Sequence, residues 1–176
     1  ARLRRLDEKA HIIMFERGQY ISFANCGLPY YIGGEIKDKA SLTLQTPESF
    51  NARFNVDVRV LQEVTAINPD KKTVTVTNLQ TNTKYEESYD SLILSPGAEP
   101  VRPPIPGIES KKVFTLRNIP DTFAIKDFIE KNGAKKAVIA GGGFIGVEMA
   151  ENLKFAGLEV TLVEMADQVI APIDYD

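Results

Sequence analysis

The chain has 176 residues, 43% hydrophobic and 26% charged, with a net charge of −3 at pH 7 and one cysteine. That balance belongs to a folded globular protein, long enough for one domain or two small ones, and its slight acidity argues against a general nucleic-acid binder. No apolar run nears the roughly 18 residues of a membrane helix, no signal-peptide pattern opens the chain, and a lone cysteine suits a reducing, cytoplasmic setting.

In chain order, Leu3, Leu6 and Ala10 form an apolar seam, with Arg2, Arg4, Arg5 and Lys9 elsewhere on the surface. This reads as the last turns of a helix, and its basic side suits either solvation or an anion. The chain lacks an initiator Met and opens in mid-helix, as a truncated protein would. Residues 11–15 read as a short strand that ends on Glu16. At 25–34, Asn25 is the expected N-cap of a helix, since Pro29 is tolerated only in a first turn. Cys26 then falls at a helix N-terminus, where the dipole favours thiolate. A lone cysteine without context is more often an inert buried one, but the capped, aromatic-flanked setting of Cys26 reverses that reading. His11, the single histidine, reads as structural, and no spacing suggests a metal site.

Thr46-Pro47-Glu48-Ser49 marks a capped helix start over 46–53. Alternating Val56, Val58 and Val60 predict a strand that continues loosely through Val64 and Ile67. Strands over 73–77 and 84–88, separated by a turn-rich break, complete an antiparallel meander. Residues 91–94 read as a buried strand that stops at Ser95-Pro96-Gly97. Pro100, Pro103, Pro104, Pro106 and Gly107 then mark a crossing between two domains, 1–106 and 107–176. Beyond it come a short strand at 113–116 and a helix capped by Asn118 and reaching Asn132-Gly133. Its expected buried face is Ile119, Phe123, Phe128 and Ile129.

The densest signal follows. Residues 136–140 form a short apolar strand that enters Gly141-Gly142-Gly143-Phe144-Ile145-Gly146, with the G-x-G-x-x-G spacing at 141, 143 and 146. The first glycine allows the turn, the second lets a pyrophosphate approach, and the third lets helix pack on strand. Ile145, Met149, Ala150, Leu153 and Ala156 recur at helical spacing, and Gly157 supplies the stop. A strand over 158–163 ends on Glu164, placed to hold a ribose 2′-hydroxyl. A 2′-phosphate would be repelled by that carboxylate, so the spacing favours NADH. The bland alternative is a glycine-rich turn in an unrelated α/β unit. Helix, strand and terminal acid at the start of the chain repeat this pattern, which makes Glu16 a candidate for a second adenosine ribose.

Ser22-Phe23-Ala24-Asn25-Cys26-Gly27-Leu28-Pro29-Tyr30 resembles the active-site motif of coenzyme A-disulfide reductases. These belong to the single-cysteine flavoprotein disulfide reductases, with NADH oxidases, NADH peroxidases and NADH-dependent persulfide reductases. The resemblance spans the whole chain, and the Leu-Pro-Tyr after Cys26-Gly27 is its most specific part. It implies an α/β fold of two Rossmann-like, three-layer FAD/NAD(P)-binding domains, both incomplete here, with the meander in the first. It also implies FAD and NADH as cofactors, coenzyme A as substrate or bound ligand, and a homodimer.

Residue by residue, the resemblance makes Cys26 the redox nucleophile, with Asn25 and Ser22 lining the thiol and substrate side. Arg5 would meet a coenzyme A phosphate. Glu16 would hold the adenosine ribose of FAD, Arg17 would be a further cofactor-binding residue, and Ser95, Pro96 and Gly97 would contact the flavin-side dinucleotide. Gly141, Gly143, Ile145 and Gly146 would seat NADH and Glu164 its ribose, with Phe144 and Glu148 near the nicotinamide. The family's first glycine loop and its C-terminal portion lie outside the chain, which is therefore expected not to turn over by itself. Two alternatives share the dinucleotide features: an NADH oxidase or peroxidase cycling through a cysteine sulfenic acid, and a non-catalytic nucleotide-binding module.

Overall fold

The computed structural model describes residues 1–173. In chain order the elements are α1 (Arg2–Leu6), β1 (Ile13–Glu16), β2 (Ser22–Phe23), α2 (Leu28–Gly33), β3 (Thr43–Gln45), α3 (Pro47–Phe54) and β4 (Asp57–Val60). They continue with β5 (Gln62–Asn68), β6 (Thr73–Asn78), β7 (Thr83–Ser88), α4 (Ile119–Asn132), β8 (Lys136–Ala140), α5 (Phe144–Phe155) and β9 (Glu159–Val163). The chain forms two compact units: Ala1–Phe23 with Thr43–Gly97, and Ala24–Leu42 with the residues from Ala98 onward.

In the first unit β1 pairs parallel with β4, Ile13 opposite Asp57 and Glu16 opposite Val60. The meander forms as expected, with β6 between antiparallel β5 and β7. Its central strand supplies the buried Val74 and Val76, and Val56 is buried as well. Arg59 on β4 ties the two sheets together. Its guanidinium bonds Asp57 at 2.9 Å, Glu87 at 2.6 Å and the Tyr85 hydroxyl at 3.3 Å. Burial alone would lower its pKa, but those three partners together outweigh burial and hold the cation firmly charged.

Helix α3 starts where the Thr-Pro-Glu-Ser signal puts it. Thr46 and Ser49 exchange hydrogen bonds in a capping box. At its other end the carbonyls of Phe54 and Asn55 accept from Arg4 at 2.9 and 2.7 Å. One of the opening basic residues is thus occupied in closing a helix, which satisfies carbonyls that the helix itself leaves unpaired. The apolar seam of the opening segment is not buried, since Leu6 is 74% exposed.

The second unit is built on the parallel β8–β9 pair, Lys136 opposite Glu159 through Ala140 opposite Val163, joined through α5. Its core combines Ile32 of α2, Ile125 of α4, Met149 and Leu153 of α5, and Leu158. Phe114, Leu116, Ile129, Ala137, Ile139 and Val160 pack around them. Asn118 caps α4 by a capping box with Asp121, and Gly133 at φ 56° ends it.

Four expectations are corrected. Residues 91–94 are not a strand, and Ile93 and Leu94 are exposed; a strand exists only beside a hydrogen-bonding neighbour, and among the described residues none pairs with it. Residues 113–116 likewise form no strand, although Phe114 and Leu116 still pack on the core. Ile145 lies on the solvent side of α5, and the buried stripe is Met149, Asn152 and Leu153. Asn25 is not an N-cap: it lies inside a 3-10 turn, Asn25–Gly27, and Gly27 stands at the cap position of α2.

Candidate functional site

The glycine loop explains its own composition. Gly141 has φ +111°, a conformation side chains rarely adopt. A Cβ on Gly146 would overlap the Gly141 carbonyl oxygen and sit 3.5 Å from Ile139, so the turn and the helix start cannot close around any larger residue. Gly143 differs from both: nothing lies within 4 Å of where its Cβ would be. It stands at the N-cap of α5 without a side-chain cap. Gly143 thus leaves room beside the N-terminus of a 12-residue helix, whose first-turn N–H groups have no intrahelical acceptors.

Glu164, just past β9, folds back onto this loop. One carboxylate oxygen accepts from the Gly142 N–H at 2.5 Å and the other from Ala166 N–H at 2.7 Å. The amides of Ala166 and Gly142, with a smaller contribution from Met165, hold its pKa below the usual carboxylate range. Spacing alone missed Gly142, which the structure shows to be the buried centre of this contact. A Cβ there would meet Val169 at 3.0 Å and Glu164 at 3.1 Å, and its carbonyl accepts from Ile170 N–H at 2.7 Å. The available signal was a third consecutive glycine where the dinucleotide pattern requires only two.

The same local device recurs in the first unit. Glu16 ends β1, and its carboxylate accepts from the Gly18 N–H at 2.6 Å, as Glu164 accepts from the residue two places on. Arg17 beside it pairs with Glu63 at 3.8 Å. Ser95, Pro96 and Gly97 form an exposed irregular stretch, with Gly97 at φ 73°. Ser22 opens β2 and is half-buried, and Arg5 is exposed on α1.

Cys26 belongs to the second unit, as does the glycine loop. It is exposed in the 3-10 turn that leads into α2, and Asn25 beside it is exposed too. The turn is held by Gly27 N–H to the Ala24 carbonyl at 2.9 Å and by Ala24 N–H to the Leu42 carbonyl at 2.9 Å. Leu28 and Pro29 are buried directly behind the thiol, so the motif divides into a solvent-facing Asn-Cys and an anchoring Leu-Pro. Phe144 and Ile145 at the head of α5 are 59% and 60% exposed, and Glu148 one turn on is half-buried.

The structure thus gathers Gly141, Gly142, Gly143, Gly146 and Glu164 into one cradle. It leaves Cys26 exposed at a rigid turn, and it sets Glu16 at the end of a second parallel strand. The family model described as pyridine nucleotide-disulphide oxidoreductase matches residues 1–176. A coenzyme A disulfide reductase of Staphylococcus haemolyticus (strain JCSC1435) is 45% identical over the whole chain, which covers 39% of that protein. The reduced CoADR-RHD of Bacillus anthracis superposes with a TM-score of 0.97 at 61% identity, over 99% of this chain and 32% of that one. An NAD-dependent persulfide reductase of A. fulgidus gives 0.90 at 39% identity, over 97% of this chain and 31% of that one. The chain therefore spans about two fifths of the length of the curated relatives it matches. With a matching model over its full length and a fold shared with these proteins, the chain belongs to the pyridine nucleotide-disulphide oxidoreductase family.

Proposed function

We propose that this chain is the redox-cysteine and NADH-loop portion of an FAD-dependent, NADH-linked reductase of coenzyme A disulfide or related persulfides and polysulfides. One observation carries the reading: a single compact unit holds both an exposed thiol, backed by buried Leu28 and Pro29, and a glycine cradle closed by Glu164. In domain terms, residues 1–106 serve FAD and 107–176 serve NADH. Similarity to the coenzyme A disulfide reductase of S. haemolyticus along the whole chain supports the substrate class.

The residues present fit both dinucleotides. The open space over Gly143 suits a pyrophosphate, and Glu164 and Glu16 end parallel strands as ribose-binding acids do. When bound, the nicotinamide and flavin supply hydride transfer and electron relay. Gly141, Gly143, Ile145 and Gly146 seat the NADH pyrophosphate, while Phe144 and Glu148 flank the nicotinamide end. Arg17 with Ser95, Pro96 and Gly97 contacts FAD. Arg5 meets a coenzyme A phosphate, and Ser22 and Asn25 line the thiol.

The Cys26 thiolate attacks one sulfur of the substrate. A bond forms between Cys26 and that sulfur as the substrate S–S bond breaks, and the other half leaves as a thiolate. With NADH and FAD bound, the two electrons they supply would reduce the mixed disulfide, returning Cys26 to thiolate and releasing the second coenzyme A as thiolate, protonated by solvent. No second cysteine is needed. The complete protein is proposed to act as a cytoplasmic homodimer.

In the complete protein, Cys26→Ser is expected to abolish NADH-driven reduction of coenzyme A disulfide while leaving NADH binding intact. Unchanged turnover would sink the assignment of Cys26 as the redox nucleophile. A second reading draws on 34% identity to the water-forming NADH oxidase of Lactobacillus brevis, with a TM-score of 0.86 over 96% of this chain and 37% of that one. In it Cys26 cycles through sulfenic acid. Rapid NADH consumption with oxygen alone, indifferent to disulfide, would favour that reading.

A further inference from the structure

Cys26 lies in the 3-10 turn two residues before the start of helix α2, which is only six residues long and has no side-chain cap at its start. A helix this short does not hold itself. Beyond the buried Leu28 and Pro29 at its start, it is held at the opposite end. The Lys126 ammonium, on α4, donates to the Tyr31 carbonyl at 2.9 Å and to the Ile32 carbonyl at 3.4 Å. These belong to the last turn of α2, where the Tyr31 carbonyl also accepts from the capping Gly34 N–H at 3.2 Å. The same ammonium lies 4.9 Å from the centroid of the Tyr31 ring and 3.6 Å from Glu130. Its side chain is 21% exposed, so these contacts are partly shielded from water.

Neighbouring contacts favour the same docking. Tyr31 packs edge-on against Phe123 of α4 at 5.6 Å, and Lys39 covers the Phe123 ring at 4.6 Å. On the other side Gly33 meets α5 so closely that a Cβ would lie 2.9 Å from the Asn152 carbonyl and 2.8 Å from its side-chain oxygen. Asn152 is 3% exposed, and its amide nitrogen donates to the Glu148 carbonyl at 2.8 Å, which fixes its orientation. The cysteine helix is thus pinned at its carbonyl end between α4 and the helix that begins at the glycine loop.

We propose that Lys126 is a positioning residue for the thiol of Cys26, acting through the carbonyl end of α2. This role presupposes the redox assignment of Cys26 made above. Lys126 touches neither substrate nor cofactor. Its charge-assisted bonds set where α2 ends, and the hydrogen-bonded α2 backbone, docked on α4 and α5, carries that position to the turn holding the thiol. Reaction geometry at such a thiol is sensitive to displacements of about 1 Å, which can cost on the order of a hundredfold in rate.

The test uses the complete protein. Lys126→Met is expected to speed hydrogen exchange at the Gly34 and Ile36 amides, which close the end of α2, by about tenfold, the usual consequence of losing a charged hydrogen bond. It is expected to lower kcat for disulfide reduction severalfold with the KM for NADH unchanged, and Lys126→Arg, which keeps charge and donors, should restore both. Wild-type kcat in Lys126→Met would overturn the proposal, as would Lys126→Arg behaving like Lys126→Met. Should Lys126→Met not fold, Lys126→Gln, which keeps a donor and loses the charge, is read by the same two measurements against the same outcomes. Failure of the redox assignment shows separately, as full activity in Cys26→Ser.

Discussion

At Glu164 one carboxylate serves two amides, Gly142 and Ala166, and this is where sequence spacing turns into chemistry. Donors aimed at the ionised form lower its pKa, so the loop contact is present above the ordinary carboxylate value and is lost as pH falls through the depressed one. Following the Gly142 and Ala166 amide resonances against pH should give a midpoint below that of a solvent-exposed Glu. Glu164→Gln should flatten both curves. A midpoint at or above the ordinary value would contradict the contact. In the proposed NADH site the same carboxylate would meet a ribose hydroxyl with its orientation already fixed by the loop. Gly146 belongs to the same scale, since a single added carbon would meet the Gly141 carbonyl oxygen and open the loop.

Among the elements, α4 is the one whose sequence specifies it most fully. Asn118 and Asp121 cap it reciprocally, the Asn118 side chain accepting from Asp121 N–H at 3.0 Å. Thr122, fully buried, returns its hydroxyl to the Asn118 carbonyl at 2.9 Å. Asn118→Ala removes the cap and is expected to cost about 1 kcal/mol, read as a lower thermal midpoint with an unchanged far-ultraviolet spectrum. Because Lys126 projects from this helix, the loss should also loosen the end of α2. By contrast α2 depends on its neighbours: it is short, uncapped by a side chain, and held by Lys126 and by the bare backbone of Gly33.

On the scale of the whole molecule, the second unit leaves strand surface uncovered. Along β8 and β9 exposure alternates, and Val138 and Val163 are 73% and 54% exposed on the open face of a two-stranded parallel sheet. Parallel sheets in this class of fold are covered on both faces. The 176-residue chain purified alone is therefore expected to bind a hydrophobic dye such as ANS strongly. The complete protein should bind much less per chain. Equal binding by the two would show that these faces stay open in both.

The sequence by itself determined the local pieces, because their causes are local. The capping boxes at Thr46 and Asn118, the meander's alternation, the glycine spacing and the strand-ending acids Glu16 and Glu164 are each written within a few residues. The family resemblance was legible for the same reason, in one continuous run around Cys26. Only the tertiary structure decided what depends on partners distant in the chain. Residues 91–94 and 113–116 have strand composition but pair with no strand among the described residues, and composition cannot supply a neighbour. Asn25 looked like a cap, yet the backbone tightened into a 3-10 turn and put Gly27 there instead. Gly142, Gly33 and Lys126 gained their roles from contacts with residues at least 22, 119 and 94 positions away. Hydrogen bonds and close backbone approaches of that span arise only once helices and strands have packed.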